Sequence, residues 1–144
     1  MNALSAESVL NKKSVSIYID GAARGNPGPA GAGVVLKAGN KTIRSVYKYL
    51  GDTTNNIAEY SALISGLQEA VALGYKNIEI YTDSELVAQQ LQGDFRVKNS
   101  NIKVLFEKAT ALMNSFDSIK IIKIDRDNNK EADKLANKAI NLSG

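Results

Sequence analysis

Hydrophobic and polar residues alternate along the segment Ser14–Asp20, close to the start of the chain. The apolar positions of this alternation are Val15, Ile17 and Ile19. A period of two places them on one face of the backbone, with Ser16, Tyr18 and Asp20 on the other, which predicts a β-strand. Asp20 is therefore expected at the end of the first strand.

A glycine- and proline-rich segment, residues 21–33, follows and is predicted to be a turn centred on Asn26–Pro29. Gly33–Lys37 then predicts a second strand, and Thr42–Leu50, rich in β-branched and aromatic residues, predicts a third. Gly39–Asn40 is a typical hairpin turn between them. Three strands joined by such short connections predict an antiparallel meander.

The period then changes to helical spacing. Apolar residues recur at this spacing from Ile57 to Leu73, and Gly74 occupies the position of a C-terminal cap. Beyond it the pattern predicts a strand, a short helix opened by Asp83-Ser84, a longer helix, a strand and a closing helix. Their ranges are Ile78–Thr82, the stretch through Leu91, Asn101–Ser115, Ser118–Ile124 and Asn129–Asn141. The order β-β-β-α-β-α-α-β-α predicts an α/β fold with a five-stranded mixed sheet, in which two parallel strands extend the meander and helices flank it.

The length of 144 residues suits one domain. We expect residues 1–13 to form a flexible N-terminal leader and residues 14–144 a single domain. No stretch approaches the roughly 20 apolar residues of a membrane span, and the leader lacks the features of a signal peptide. These observations favour a cytoplasmic protein without a membrane partner, and a monomer is the default expectation.

Cysteine and histidine are both absent from the sequence. Disulfides, cysteine-based zinc sites, and nucleophiles activated by histidine are therefore excluded. Hydrolytic chemistry would have to use carboxylates, Lys, Tyr or a hard cation such as Mg²⁺ or Mn²⁺ held by oxygen ligands. The net charge of +3 is compatible with a polyanionic partner and equally with an ordinary lysine-rich surface.

Four acids stand at comparable places in the predicted elements: Asp20, Glu59, Asp83 and Asp133. Each alone is explained by helix capping or by the helix dipole, and Asp83 before a short helix is the best example. Together they could converge at one end of the sheet, where their mutual repulsion would require cations. Two divalent ions would meet that requirement and would support phosphodiester hydrolysis.

Four segments that contain these acids resemble the motifs of the ribonuclease H type 1 family. They are Asp20–Pro29, Thr53–Glu59, Tyr81–Ser84 and Arg126–Ala136. The resemblance extends from Ser14 to Ile140, and four motifs in the family's order are highly specific. It implies a ribonuclease H-like fold and an endoribonuclease that hydrolyses the RNA strand of RNA/DNA hybrids by a two-metal-ion mechanism with little sequence preference.

The resemblance also implies roles for individual residues. Asp20, Glu59, Asp83 and Asp133 would hold two Mg²⁺ ions, with Mn²⁺ as a possible substitute. The residues that match substrate-contacting positions are Asn26, Thr54, Asn55, Asn56 and Ser84. Asn26 is also a plausible turn residue and Thr54 a plausible N-cap, and both roles are compatible with binding.

The chain departs from many family members in two places. It has no histidine in the loop before the last acid, where Arg126 instead could contact the scissile phosphate or the leaving group, or simply anchor the loop. The segment Gly93–Lys103 is too short for the basic protrusion of many members, which predicts weaker binding of the hybrid. Phe95 within it could stack on a nucleotide or be buried.

Three alternatives remain open from the sequence. One is another nuclease or strand-transfer enzyme of the same fold, such as a reverse-transcriptase domain, a resolvase-like enzyme or a nuclease that also cuts double-stranded RNA. Another is a non-catalytic hybrid-binding module, which the presence of all four acids does not favour. The last is an α/β domain of unrelated function, which the four ordered motifs disfavour.

Overall fold

The computed structural model describes residues 14–94 and 96–143. The strands and helices of these residues follow the predicted order. Their bounds are β1 Ser14–Ala23, β2 Gly28–Ala38, β3 Lys41–Thr53, α1 Asn55–Ala72, β4 Asn77–Thr82, α2 Glu85–Leu91, α3 Ser100–Met113, β5 Ser118–Lys123 and α4 Lys130–Ser143. A 3-10 turn, Arg126–Asn128, precedes α4. The predicted leader, residues 1–13, lies outside the described residues.

The strands form one five-stranded sheet in the order β3-β2-β1-β4-β5. β2 pairs antiparallel with both β1 and β3, whereas β1 with β4 and β4 with β5 pair in parallel. The predicted α/β fold with a mixed sheet is therefore confirmed. β1 is the central strand of the sheet. Its apolar residues are accordingly completely buried: Val15, Ile17 and Ile19.

The turn between the first two strands is shorter than the glycine- and proline-rich segment 21–33, although it overlaps the predicted turn signal Asn26–Pro29. β1 continues to Ala23 and β2 begins at Gly28, so that only residues 24–27 connect the two strands. Most glycines of this segment serve close packing rather than turning. A Cβ atom on Gly33 would lie 2.1 Å from the carbonyl oxygen of Ala132 in α4. A Cβ atom on Gly31 would lie 2.3 Å from the carbonyl oxygen of Ala136 in the same helix. Only glycine lets the helix approach the strand so closely.

The two faces of the sheet carry different helices. A Cβ atom on Gly66 of α1 would touch Ile17, Ile19 and Val34, so α1 covers the face on which these residues point. Because neighbouring residues of a strand point to opposite faces, Gly33 and α4 lie on the other side. Small buried alanines line this contact of α4: Ala132, Ala136 and Ala139. No helix among the described residues is long and apolar enough to cross a membrane.

Side chains and glycines fix the ends of the helices. The hydroxyl oxygen of Thr54 accepts the Ile57 N–H at 3.3 Å and caps α1, as the sequence predicts. Gly74 follows the end of α1 with a φ of 84°, the conformation that favours glycine after a helix. Ser84, not Asp83, caps α2, because its hydroxyl oxygen accepts the Val87 N–H at 3.2 Å. The carboxylate of Asp83 is thereby free for other contacts.

Candidate active site

Asp20 and Glu59 meet where α1 crosses β1. Asp20 lies opposite Gly33 in the β1–β2 ladder and is only 4% exposed. Glu59, in the second turn of α1, is 7% exposed, and its Oε1 accepts the Gly21 N–H at 3.1 Å. This contact depends on Gly21, where a Cβ atom would lie 2.2 Å from the carbonyl carbon of Ala58. A glycine after Asp20 thus allows the second acid to come close to the first.

Asp83 joins the pair from the end of β4, the strand that runs parallel to β1. Asp20, Glu59 and Asp83 each offer one carboxylate oxygen, and these oxygens all lie within 4.8 Å of one another. We call these three residues the acidic cluster. The carboxyl ends of parallel strands share one edge of a sheet, which explains why acids distant in sequence meet here.

Asp133 lies beside the acidic cluster but is not part of this close group of three. It stands in the first turn of α4, close enough to Asp20 to raise the pKa of that carboxyl. The side-chain amide of Asn137 donates to Asp133 Oδ1 at 3.3 Å and to its carbonyl oxygen at 3.0 Å. Of the four predicted acids, the structure therefore gathers three tightly and places the fourth next to Asp20.

Burial and mutual repulsion oppose ionisation in the acidic cluster. Burial raises the pKa of Asp20 well above its usual range, and the charges of Glu59 and Asp83 raise it further. Burial also raises the pKa of Glu59, and the hydrogen bond from the Gly21 N–H, with a smaller contribution from the cation Arg126, only partly offsets this rise. A divalent cation among the three would favour their charged forms, and it is the counterion that this arrangement otherwise lacks.

The residues of the acidic cluster fit a hard divalent cation. All three offer carboxylate oxygens, the ligands that Mg²⁺ and Mn²⁺ prefer. Glu59 Oε2 is buried and has no hydrogen-bond partner among the described residues, an arrangement that is costly unless something binds it. An unpaired buried oxygen and two neighbouring acids point to a bound cation, with Asp133 able to contribute from the α4 side.

Arg126 lies in the exposed 3-10 turn before α4. The positive charge of Arg126 lowers the pKa of Glu59, which places the guanidinium group near that carboxyl. None of the described ion pairs joins Arg126 to an acid. The guanidinium group is therefore near the acidic cluster and is not bound by a carboxylate. Such a cation is available to an incoming phosphate.

A cavity of about 370 Å³ at the start of α1 contains four of the predicted substrate-binding residues: Asn26, Thr54, Asn55 and Asn56. We call it the amide groove. Asn26 Oδ1 accepts the Asn55 N–H at 3.1 Å, and Asn55 Oδ1 accepts the Ala23 N–H at 3.0 Å. These bonds join the β1–β2 turn to α1 and hold the groove in shape. Ser84, the fifth predicted substrate-binding residue, is not among the residues that line the groove. It lies at the start of α2, which its hydroxyl caps.

The sequence analysis missed some polar residues near these sites. Asn99 and Asn101, around the start of α3, also line the amide groove. An asparagine directly before a helix is a common N-cap, and this signal could have identified Asn99, whose Oδ1 accepts the Asn101 and Ile102 N–H groups. Asn129, for which the sequence predicts no functional role, is buried and donates to Asp83 Oδ2 at 3.1 Å.

The short basic segment after α2 borders a separate cavity of about 520 Å³. Arg96 and Lys103 line it together with Phe106 of α3. Phe95, the aromatic residue considered for stacking, lies outside the described residues. Basic groups near an apolar wall are suited to a nucleic-acid backbone, but this surface is small.

Comparisons with known proteins agree with this architecture. The profile of the family described as reverse transcriptase-like matches residues 18–139. A bifunctional protein of Mycobacterium tuberculosis is 43% identical over 131 residues, which cover 90% of this chain and 36% of that protein. The chain thus spans only about a third of the length of this curated relative.

Two crystal structures match the chain over almost their whole length. RNase H1 from Halobacterium salinarum has 39% sequence identity and a TM-score of 0.87, with 90% of this chain and 98% of that chain covered. LC11-RNase H1, in complex with an RNA/DNA hybrid, has 40% identity and a TM-score of 0.85 with the same coverage. The sheet, the helices and the profile match agree, and the chain belongs to the reverse transcriptase-like family and, within it, to the type 1 ribonucleases H.

Proposed function

We propose that the protein is an endoribonuclease that hydrolyses the RNA strand of RNA/DNA hybrids with the help of divalent cations. The observation that carries the proposal is the acidic cluster: three carboxylates with oxygens within 4.8 Å of one another, one of them with a buried oxygen that finds no hydrogen-bond partner in the described part of the chain. The hybrid bound by the similar LC11-RNase H1 supports the choice of substrate. Asp20, Glu59, Asp83 and Asp133 would hold two Mg²⁺ ions, and Mn²⁺ would substitute.

Bound divalent cations supply an activated water and stabilise the leaving oxygen of a phosphodiester. The chain's own residues position these partners. Asp20 and Glu59 present their carboxylates from a rigid strand and a helix that is locked to it by the Gly21 N–H. Arg126 offers an exposed guanidinium beside the cluster, without an ion pair among the described residues, and it would bind the scissile phosphate or neutralise the leaving group.

The amide groove would hold the nucleic-acid backbone. The Thr54 hydroxyl oxygen accepts the Ile57 N–H, so that its own O–H remains available to donate to a phosphate oxygen at the N-terminus of α1. Asn26, Asn55 and Asn56 would contact sugars and base edges, and Ser84 would approach the RNA strand near Asp83. Contacts of this kind read shape and 2′-hydroxyls rather than sequence, and little sequence preference is expected.

A cleavage assay tests the proposal. Labelled RNA/DNA hybrid, double-stranded RNA and double-stranded DNA are incubated with the protein in Mg²⁺, Mn²⁺ or EDTA. We expect cleavage of the RNA strand of the hybrid in both metals and none in EDTA. Comparable cleavage of double-stranded RNA would favour a nuclease of broader substrate range. Binding of the hybrid without cleavage in any metal would indicate a non-catalytic module and would overturn the proposal.

The expectations of a monomer and of a cytoplasmic location accompany this proposal. Light scattering of the purified chain, with and without hybrid, checks the first. Fractionation of the source cells checks the second. A stable dimer with parts of the acidic cluster at its interface would contradict a site built within one chain.

A further inference from the structure

Asn129 occupies the junction between the acidic cluster and α4. Its side chain is 2% exposed, and its Nδ2 donates to two oxygens at once. One is the carbonyl oxygen of Ile19, directly before Asp20, at 2.8 Å; the other is Asp83 Oδ2, at 3.1 Å. One amide group thus bridges β1, at the residue before Asp20, and the acid that follows β4.

The orientation of this amide is fixed by its partners. A backbone carbonyl and an ionised carboxylate can only accept hydrogen bonds, so the NH₂ end of Asn129 must face both. Its Oδ1 is buried and has no hydrogen-bond partner among the described residues. Leaving a buried acceptor unpaired costs free energy, which indicates that the two donated bonds are the reason for an asparagine at this position.

The backbone of Asn129 makes two further connections. Its N–H donates to the carbonyl oxygen of Arg126 at 3.0 Å and closes the 3-10 turn. Its carbonyl oxygen accepts the Asp133 N–H at 3.1 Å and opens α4. Through one residue, the two functional groups on the α4 side are therefore tied to the two strands that carry Asp20 and Asp83.

We propose that Asn129 is a positioning residue for metal binding at the acidic cluster. It fixes the rotation of the Asp83 carboxylate and the positions of Asp133 and Arg126 relative to the acidic cluster. This inference rests on the proposed function. Carboxylates that bind metals are commonly oriented by hydrogen bonds from neighbouring groups, and loss of such a group typically costs about 10- to 100-fold in metal affinity or activity. Asn129 does not touch the substrate in this role and acts through Asp83.

Two variants separate positioning from simple packing. Asn129→Ala removes both donated bonds, and Asn129→Asp keeps the size of the side chain while replacing the donor with an acceptor. We expect both to lower Mg²⁺ affinity, measured by calorimetry, and kcat by about 10- to 100-fold each. KM for the hybrid should change by less than about threefold, because the amide groove is built from other elements. Asn128→Ala, in the exposed part of the same turn, is the matched control and should retain the wild-type Mg²⁺ affinity.

If folded Asn129 variants, checked by circular dichroism, bind Mg²⁺ and turn over within about twofold of the unaltered protein, the positioning role is wrong. If neither variant folds, NMR on the unaltered protein tests the positioning role of Asn129 instead. The side-chain amide signals of Asn129 should shift as Mg²⁺ is added, with the midpoint found by calorimetry, and the absence of a shift would overturn the inference. A wild-type chain that neither binds Mg²⁺ nor cleaves hybrid would instead overturn the proposed function.

Discussion

At the scale of single residues, the carboxyl of Asp20 lies where burial and two neighbouring acids oppose its charge. In the unfolded chain Asp and Glu ionise near pH 4, at about 3.9 and about 4.3. In the folded protein without metal the pKa values of Asp20 and Glu59 are both raised. The stabilisation from these neutral acids is complete below pH 4 and is lost as the pH rises towards the raised values.

Asp20→Asn should therefore have opposite effects on function and on stability. We expect it to abolish cleavage, as Asp83→Asn should, while in EDTA at pH 8 it raises the free energy of unfolding by on the order of 2 kcal/mol, because an amide carries no charge to bury. Urea unfolding at pH 5 and pH 8 measures the effect, which should be smaller at pH 5. Asp117→Asn, at an exposed position, is the control and should change the free energy of unfolding at pH 8 by less than about 0.5 kcal/mol.

A variant Asp20→Asn that is less stable than the unaltered protein in EDTA at pH 8 would contradict the electrostatic account. Cleavage near the wild-type rate in either Asp20→Asn or Asp83→Asn would contradict the assignment of these acids as metal ligands.

Arg126 provides the second prediction at this scale. Arg126→Ala should lower kcat by about 10- to 100-fold, because one positioned cation at a developing charge contributes a few kcal/mol. Arg126→Lys keeps the charge without the planar fork and should recover only part of the rate. Steady-state kinetics on the hybrid measure both variants. Unchanged kinetics in Arg126→Ala would assign the residue to anchoring of the loop.

The sequence was informative about charged residues and much less about neutral ones. The four acids and Arg126 could be proposed because the segments that contain them resemble the motifs of a family in the family's order. Asn129 could not, since a buried amide and a solvated one look alike in a sequence. Its importance comes from Ile19 and Asp83, which are distant along the chain and approach it only after folding.

At the scale of elements, the contact between β1 and α1 determines how the first two acids meet. α1 passes over Gly21 so closely that no side chain fits between helix and strand. The same approach allows the Gly21 N–H to donate to Glu59. The packing of a helix and the placement of a carboxylate thus depend on one missing methyl group.

Gly21→Ala should separate α1 from β1. We expect a loss of about 1–3 kcal/mol or more in stability, because the added Cβ overpacks backbone atoms that cannot move aside. Activity should fall as well, since Glu59 loses its fixed position. Urea unfolding and hybrid cleavage measure the two effects. Gly39→Ala is the control: its Cβ meets open space, although its φ of 64° makes the change cost about 1–2 kcal/mol. Gly39→Ala should retain cleavage, and equally undiminished cleavage by Gly21→Ala would refute the close-packing argument.

The order and type of most elements followed from hydrophobic period, whereas β3, which has no buried residue, followed from its β-branched and aromatic composition. The connection between β1 and β2 did not, because glycine signals either a turn or a close approach and a sequence does not distinguish them. Gly25, with a φ of 102°, is the turning residue, whereas Gly31 and Gly33 admit α4.

At the scale of the whole molecule, the sheet order brings the acids together. Placing β4 beside β1 joins Asp83 to Asp20, and α4 delivers Asp133 from the opposite face to α1. The mixed pairing could be predicted from short and long connections between strands. The face of the sheet that each helix covers could not be predicted, because it depends on where the glycines of β2 allow a helix to pack closely.

Cations should therefore stabilise the entire fold. Binding to a site shared by β1, α1 and β4 raises the free energy of unfolding by about 2.7 kcal/mol at a concentration of 100 times Kd. We expect the Tm to rise with Mg²⁺ in the unaltered protein and to rise far less in Asp20→Asn. Calorimetric scans at constant ionic strength, with KCl as the control salt, measure this. An equal increase in both proteins would indicate that Mg²⁺ acts outside the acidic cluster.

The packing of α4 against Gly31 and Gly33 determines when the protein becomes active during its synthesis. A ribosome releases the strands that carry Asp20 and Asp83 well before it releases α4, the last of the described elements. A nascent chain can therefore assemble most of its sheet while it still lacks Asp133 and the Asn129 bridge. We expect such a chain to leave nearby hybrids uncleaved until α4 has emerged and packed against the sheet.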